Sequence, residues 1–450
     1  MGSEFIVSPM KQMLSDKRLA AVLSGTVASV MVLLPFHALL TTWMGSNLGH
    51  LDAIRIWKEL LLVLTLPIAA VLIWRTASLK KWLIESWIVR LFCLYLLLHL
   101  LLGWWALSHH EVNSVALIYS YIINLRFISF FILCAVAAGT SSFLIRHWDR
   151  IVLLPAAIVL IFGLFQRFVL PYDFLRHFGY GPDTIPAYQT VDAKLDYQRI
   201  QSTLRGANPL GAYLVLVITV LVASLRKNRI FVIGCLIAGF MLLFYSYSRS
   251  AWIGLGLALI SLTLLEKPSL ARRWLVLGAI FSLIVLSSGI YALRTNNIFQ
   301  DTIFHTSETS TSTQSANEQR LRALETGARD VISELQGRGP GTAGPASFRN
   351  DSSPRIAENY FLQIGQEVGI LGMGLFISIV ILITIELWRR RQNQLARVLL
   401  ASLVGLTFVN LVSHAWTDDT LAYLWWGLAG IACAPAILSG KLKGNGQKKK

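Results

Sequence analysis

Charge is scarce in this chain. Asp, Glu, Lys and Arg make up 14% of its 450 residues, against about 25% in a soluble domain. Acids are the scarcer sign, with 24 Asp plus Glu against 40 Lys plus Arg and a formal net charge of +16. Cysteine is rare too. Cys93, Cys134, Cys235 and Cys433 all lie inside apolar runs, where none can staple an exposed loop, and no CxxC spacing offers a zinc or redox centre. There is no internal repeat, and the first apolar run lacks a small-residue cleavage motif, so it reads as a retained span. These absences exclude a disulfide scaffold, a disordered chain and an ordinary soluble enzyme. What is abundant is apolar surface, at 55% of residues, and that composition points to an integral membrane protein.

The apolar runs predict about 12 transmembrane helices, at 19–43, 57–74, 91–107, 115–138, 151–168, 209–225, 230–247, 252–265, 274–293, 359–386, 398–413 and 420–438. Met1–Phe5 (MGSEF) reads as a cloning remnant. The expected layout is a cytoplasmic N-terminus over 1–18, one transmembrane domain over 19–438, and a basic cytoplasmic tail over 439–450. With the N-terminus in the cytoplasm, 24 of the 40 cations fall on that side, in every short loop from Lys17-Arg18 to Arg389-Arg390-Arg391. This is the positive-inside pattern, and it places both termini in the cytoplasm. The remaining cations gather in or beside two long segments on the other side, 168–208 and 294–358. Loops of that length in a compact protein are usually functional.

Segment 168–208 is broken by Pro171, Pro182 and Pro186 and ends in Arg205-Gly206-Ala207-Asn208-Pro209, a turn leading into a span. Segment 294–358 opens on a Ser/Thr-rich stretch around His305. An amphipathic helix follows, with a capping box at Ser315-x-x-Glu318 and an apolar stripe of Leu321, Leu324, Ala328, Val331, Ile332 and Leu335, ending at Gly337. The glycine-rich stretch Gly337–Gly344 is either a plain turn, the preferred reading, or a backbone cradle for an anion. Arg126 falls within a predicted span. It either faces a cavity or partner, or snorkels to the interface. Arg249, in Ser248-Arg249-Ser250, is the sole charge between Arg229 and Glu266 and reads as a buried cation facing the long loops. Asp418-Asp419 reads as a solvated turn, and His37, His99, His109, His110 and His414 as packing or interfacial residues. Together Arg205, Arg249, Arg320 and Arg126 predict a basic cavity for an anion, and the forked guanidinium suits phosphate. No aromatic-interleaved nucleic-acid motif is present. A transporter or flippase moving an anionic lipid is the competing class. Against it stand the missing repeat symmetry and the short link after the sixth span.

Four ordered motifs carry a likeness. They are Arg205-Gly206-x-Asn208-Pro209; Ser248-Arg249-Ser250-Ala251-Trp252; Ser315 with Arg320 on a helix leading to Gly337-x-Gly339-Pro340-Gly341; and Asn359-Tyr360-x-Leu362-Gln363 followed by Glu367-x-Gly369-Ile370-Leu371-Gly372. In this order, over about residues 200–430, the chain resembles the O-antigen ligase and O-antigen polymerase superfamily of membrane glycosyltransferases. The resemblance implies an all-α polytopic, GT-C-like fold in the bacterial inner membrane, with its active site on the extracytoplasmic face. It implies an inverting, cofactor-free and metal-independent transfer from an undecaprenyl-diphosphate-linked oligosaccharide to a glycan acceptor, in contact with the lipid bilayer and with a chain-length regulator as a possible partner. Arg249 and Arg320, with Arg205 and Arg126, would bind the diphosphate, and Asn359, Tyr360 and His305 are acceptor-side candidates. The ligases of this superfamily carry a His before the Asn of the fourth motif, as the base. Here Glu358 stands there, and a carboxylate can accept a hydroxyl proton. That difference favours a polymerase over a ligase.

Overall fold

The computed structural model describes residues 9–191, 194–225, 229–266 and 316–435. The predicted span 274–293, Ser315, His305 and the tail from 439 lie outside the described residues. In chain order the helices are α1 (Pro9–Leu33), α2 (His37–Leu48), α3 (Leu51–Arg55), α4 (Trp57–Arg75), α5 (Ala77–Glu85), α6 (Trp87–Ser108), α7 (Ser114–Thr140) and α8 (Phe143–Phe168). After them come α9 (Ala207–Ala223), α10 (Arg229–Tyr245), α11 (Arg249–Leu265), α12 (Ala316–Ser333), α13 (Tyr360–Arg389), α14 (Gln394–Leu411) and α15 (Asp419–Cys433). Seven segments are long and apolar enough to cross a membrane: Ser15–Leu48, α4, α6, α7, α8, α13 and α14. Helices α9, α10 and α11 are apolar but shorter. The chain is a multi-pass, predominantly helical membrane protein.

Three elements depart from the sequence expectation. The first run is two helices joined by a 3₁₀ turn at Leu34–Phe36, because Pro35 removes a backbone donor there. The segment expected to be irregular folds back as a hairpin, β1 (Gln189–Val191) antiparallel to β2 (Lys194–Arg199). Helix α13 is interrupted at Val368 (φ −120°) and Gly369 (φ 71°). A side chain at Gly369 would be strained by its backbone angle and would meet the Leu335 carbonyl at 2.3 Å, so only glycine allows the break.

The core is built from α7, α9, α14 and α15. In α15 every residue from Thr420 to Cys433 is buried, and α9 is buried from Leu210 to Leu221. Apolar burial alone does not draw helices together in lipid, so close packing must. Where α11 crosses α14, Gly254 and Gly405 meet. A Cβ on Gly405 would lie 2.2 Å from the Gly254 carbonyl oxygen. An aromatic group of Phe127, Phe376, Trp416, Trp425 and Trp426 fills the centre, with Phe127 and Trp426 ring centroids 4.5 Å apart.

Helices α4, α7, α9, α11, α13 and α15 all begin at the end that carries the hairpin and α12. Six positive helix ends therefore face one region, a setting that favours anions. At the opposite end Arg390 caps α15, donating from Nη1 to the carbonyls of Ala432 (2.8 Å) and Ala434 (2.6 Å).

Candidate functional site

Two cavities open at the loop-bearing end. The smaller, about 140 Å³, is lined by Arg199, Arg249 and Arg320 together with Asn208, Tyr247, Ser248, Ser250 and Ser413. Among the described residues, no Asp or Glu lines it. Arg199, at the end of β2, is held by Nε donation to the Ser246 carbonyl (2.9 Å) and Nη2 donation to Asn208 Oδ1 (2.5 Å). Burial, with Arg320 and Arg249 adding to it, pushes the Arg199 guanidinium down to about 10. Three guanidinium groups gathered in one small cavity make it a setting that attracts an anion. Arg249 and Ser250 also open helix α11, whose first N–H groups have no intrahelical acceptor.

The turn between β2 and α9 is pinned from several sides. Ile200 N–H donates to the Tyr245 carbonyl (3.0 Å), Ser202 N–H to Gln166 Oε1 (2.8 Å), and Thr203 Oγ1 to the Pro35 carbonyl (2.7 Å). This places Arg199 in the small cavity and Arg205 in the large one.

The larger cavity, about 800 Å³, is lined by Arg55, Arg205, Arg349, Glu358, His414, Tyr119 and Phe348 among others. A charge cluster forms part of its wall. Asp419 accepts from Lys58 Nζ (2.9 Å), His37 Nε2 (3.2 Å) and Arg126 Nη1, while Arg126 Nη2 donates to the Thr417 carbonyl (2.5 Å). Lys58 also meets Glu59 at 3.2 Å. Trp57 Nε1 donates to His37 Nδ1 (3.0 Å), which leaves Nε2 as the protonated nitrogen facing Asp419. Two cations and two anions thus balance in a buried setting, where removing either sign would be costly.

Glu358 sits just before α13 with φ 50°, a left-handed backbone costing about 1–2 kcal/mol for a non-glycine residue. Contacts on both sides impose it. Arg355 pairs with Asp330 (2.8 Å) and Glu334 (3.1 Å), and Tyr360 N–H donates to the Ser413 carbonyl (3.2 Å). His414 lies in the turn bonded to Tyr360. Burial pulls its imidazole below the usual 6.5, with nearby Glu358 opposing that shift and Arg205 reinforcing it. It is therefore neutral at physiological pH.

The glycine-rich stretch inserts into the break of α13. Arg338 N–H donates to the Gln366 carbonyl (3.1 Å), Gly339 N–H to that of Glu367 (2.8 Å), and Ile370 N–H to that of Leu335 (2.9 Å). The Glu367 carboxylate, fully buried, accepts from Gly341 N–H (2.7 Å), Ser120 Oγ (3.1 Å) and Asn124 Nδ2 (2.5 Å). The stretch does meet a carboxyl group, the protein's own Glu367, through Gly341 N–H.

The single cavity expected from Arg205, Arg249, Arg320 and Arg126 is thus divided. Arg249 and Arg320 converge, joined by Arg199, which sequence reading passed over as one loop cation among several. Arg126 and Arg205 line the other cavity. Arg126 is buried, not snorkelling, and its charge is taken by Asp419. Asp418-Asp419 is no solvated turn: Asp418 is buried and caps α15 by accepting from Leu421 N–H (3.1 Å). Asn359, expected beside the acceptor, caps α13 through Phe361 N–H (2.9 Å) and Leu362 N–H (3.0 Å). The Tyr360 ring is buried against Phe376. Helix α12 ends at Ser333 rather than Gly337, and its buried face is Gly327 and Val331, with Leu321, Ile332 and Leu335 exposed. Among the described residues, no three His, Cys, Asp or Glu are grouped to hold a metal ion.

The chain is thus a multi-helix membrane bundle with an arginine-lined cavity at one end. Residues 233–377 match the family model described as O-antigen ligase, which supports the O-antigen ligase and polymerase superfamily for this chain. The match covers less than half of the chain. It contains Arg249, Arg320 and Glu358 and leaves Arg126, Arg199, Arg205 and His414 outside. No curated protein matches the chain.

Proposed function

We propose that the protein is a metal-independent, inverting glycosyltransferase that draws its donor glycan from undecaprenyl diphosphate, and that it acts as an O-antigen-type polysaccharide polymerase at the outer face of the bacterial inner membrane. The observation that carries this reading is the convergence of Arg199, Arg249 and Arg320 on one small cavity. Such a site fits a diphosphate and stabilises it further as it leaves. The large cavity receives the acceptor, with Glu358 in its wall. The acceptor hydroxyl oxygen attacks the anomeric carbon on the face opposite the diphosphate. The new glycosidic C–O bond forms as the bond from that carbon to the phosphate oxygen breaks. The hydroxyl proton passes to the Glu358 carboxylate, and the bond pair leaves with the diphosphate, held by the three arginines.

Glu358 in place of the ligase His supports the polymerase over the ligase. The test is complementation of a deletion strain with Arg199→Gln, Arg249→Gln and Arg320→Gln. Each should abolish long-chain glycan on gels while single repeats persist at normal expression. Full chain length in all three would overturn the site.

A further inference from the structure

We propose that Arg55, Arg205 and Arg349 form a second anion-binding site, which receives an oxyanion carried by the acceptor; this rests on the glycosyltransferase reading above. The three come from separate parts of the chain: the end of α3, the turn before α9, and the segment between α12 and α13. All three line the large cavity, and none lines the small one. Among the described residues their one close acidic partner is Asp52, 3.6 Å from Arg55 and 3.2 Å from Arg349. Arg205 has no ion pair within 4.0 Å among the described residues. Asp52 is itself 72% exposed, so water screens the charge it offers. Within ion-pair distance among the described residues, three guanidinium groups thus have one carboxylate between them, while Glu358 and Asp418 stand elsewhere in the same wall.

The arginines also sense one another. Burial lowers the Arg55 guanidinium from its usual range, and both Arg205 and Arg349 push it the same way. The Arg349 guanidinium lies 4.6 Å from the Tyr119 ring centroid, a cation–π contact that restrains it at the cavity wall while Nη2 meets Asp52. Glu358 and His414 line the same cavity, so a group held here belongs to the molecule whose hydroxyl reacts rather than to the departing diphosphate. Tyr119 and the 68% exposed ring of Phe348 give the cavity the aromatic surface a sugar face stacks on. An oxyanion on such an acceptor is either the carboxylate of an acidic sugar or a phosphate of a second lipid carrier.

The test uses the full chain in lipid nanodiscs, with Arg249→Gln/Arg320→Gln as background to remove the first site. Inorganic phosphate, methyl glucuronide and neutral methyl glucoside are titrated by calorimetry. At least one of the two anions should bind more tightly than the glucoside. Arg349→Gln should weaken that binding about tenfold, the loss of one charge-assisted contact. Asp52→Asn removes the competing carboxylate and should tighten it several-fold. Because Asp52 is exposed, that variant carries the test even if Arg349→Gln does not fold. Binding of glucuronide identifies the source as an acidic sugar; binding of phosphate alone identifies the lipid carrier. Anions that bind no better than the glucoside, or an Asp52→Asn variant without tightening, overturn the second site. Product formation by the wild type is measured separately. Its absence, with anion binding intact, overturns the transferase reading and not the second site.

Discussion

At the scale of the residue, the same side chain means different things according to what faces it. Arg126 and Arg249 are both lone cations in apolar stretches. Asp419 neutralises the first, whereas the second joins two other arginines. Asp419→Asn leaves Lys58 and Arg126 short of an anion and should lower stability by about 3–5 kcal/mol, measured as thermal unfolding in detergent. Arg199 provides a pH test with a definite sign. Its guanidinium loses its proton near 10, whereas an ordinary arginine stays charged above 12. Phosphate binding to the wild-type small cavity should therefore fall as pH rises through about 10. The Arg199→Gln protein should bind more weakly and lose that step. His414 gives the opposite limb. Its lowered value keeps it neutral down to below pH 6.5, so a wild-type acid limb, where transfer falls as pH drops, belongs below that value. His414→Ala should shift that limb, read from the pH profile of transfer.

At the scale of the element, the broken helix α13 sets the position of the loop that follows α12. The unpaired backbone groups at Glu367 and Ile370 are satisfied by Leu335 and Gly339, which is how irregular backbone is tolerated inside a bundle. Gly369→Ala would force a side chain against the Leu335 carbonyl and strain φ. The expected outcome is a loss of several degrees in unfolding temperature with release of the Gly337–Gly344 stretch to proteolysis. Glu367→Gln turns one acceptor oxygen into a donor facing Gly341 N–H, Ser120 or Asn124. It should cost about 1–3 kcal/mol, read by the same melting assay. Neither change touches an arginine of the small cavity, so phosphate affinity in the protein that remains folded should change little.

At the scale of the whole molecule, the arginines that line cavities and those that line the opposite end have separate work. Arg75, Arg146, Arg390 and Arg397 stand at helix ends away from both cavities, and the positive-inside pattern predicts that this end faces the cytoplasm. Accessibility of single cysteines checks it. In a background lacking the native cysteines, Ser352→Cys should react with a membrane-impermeant maleimide added to spheroplasts. Gln392→Cys should react only after the membrane is opened; the reverse result would invert the protein.

Sequence by itself determined the helical membrane class, because a run of some 20 apolar residues has few alternatives in water or lipid. It also singled out the two segments that carry most of the proposed site arginines, because arginines away from the basic short loops need a reason to be there. Arg249 and Arg320 were legible as candidates for a basic cavity, and they do line one cavity. Tertiary structure alone decided which arginines meet. Arg199 joins Arg249 and Arg320 because a hairpin and a pinned turn carry it there, contacts made across 47 residues to Ser246. Asp419 meets Arg126 across 293 residues, a pairing that no spacing in the chain encodes. Charge pairing in a bundle is a property of helix packing, and packing brings together residues the sequence holds far apart.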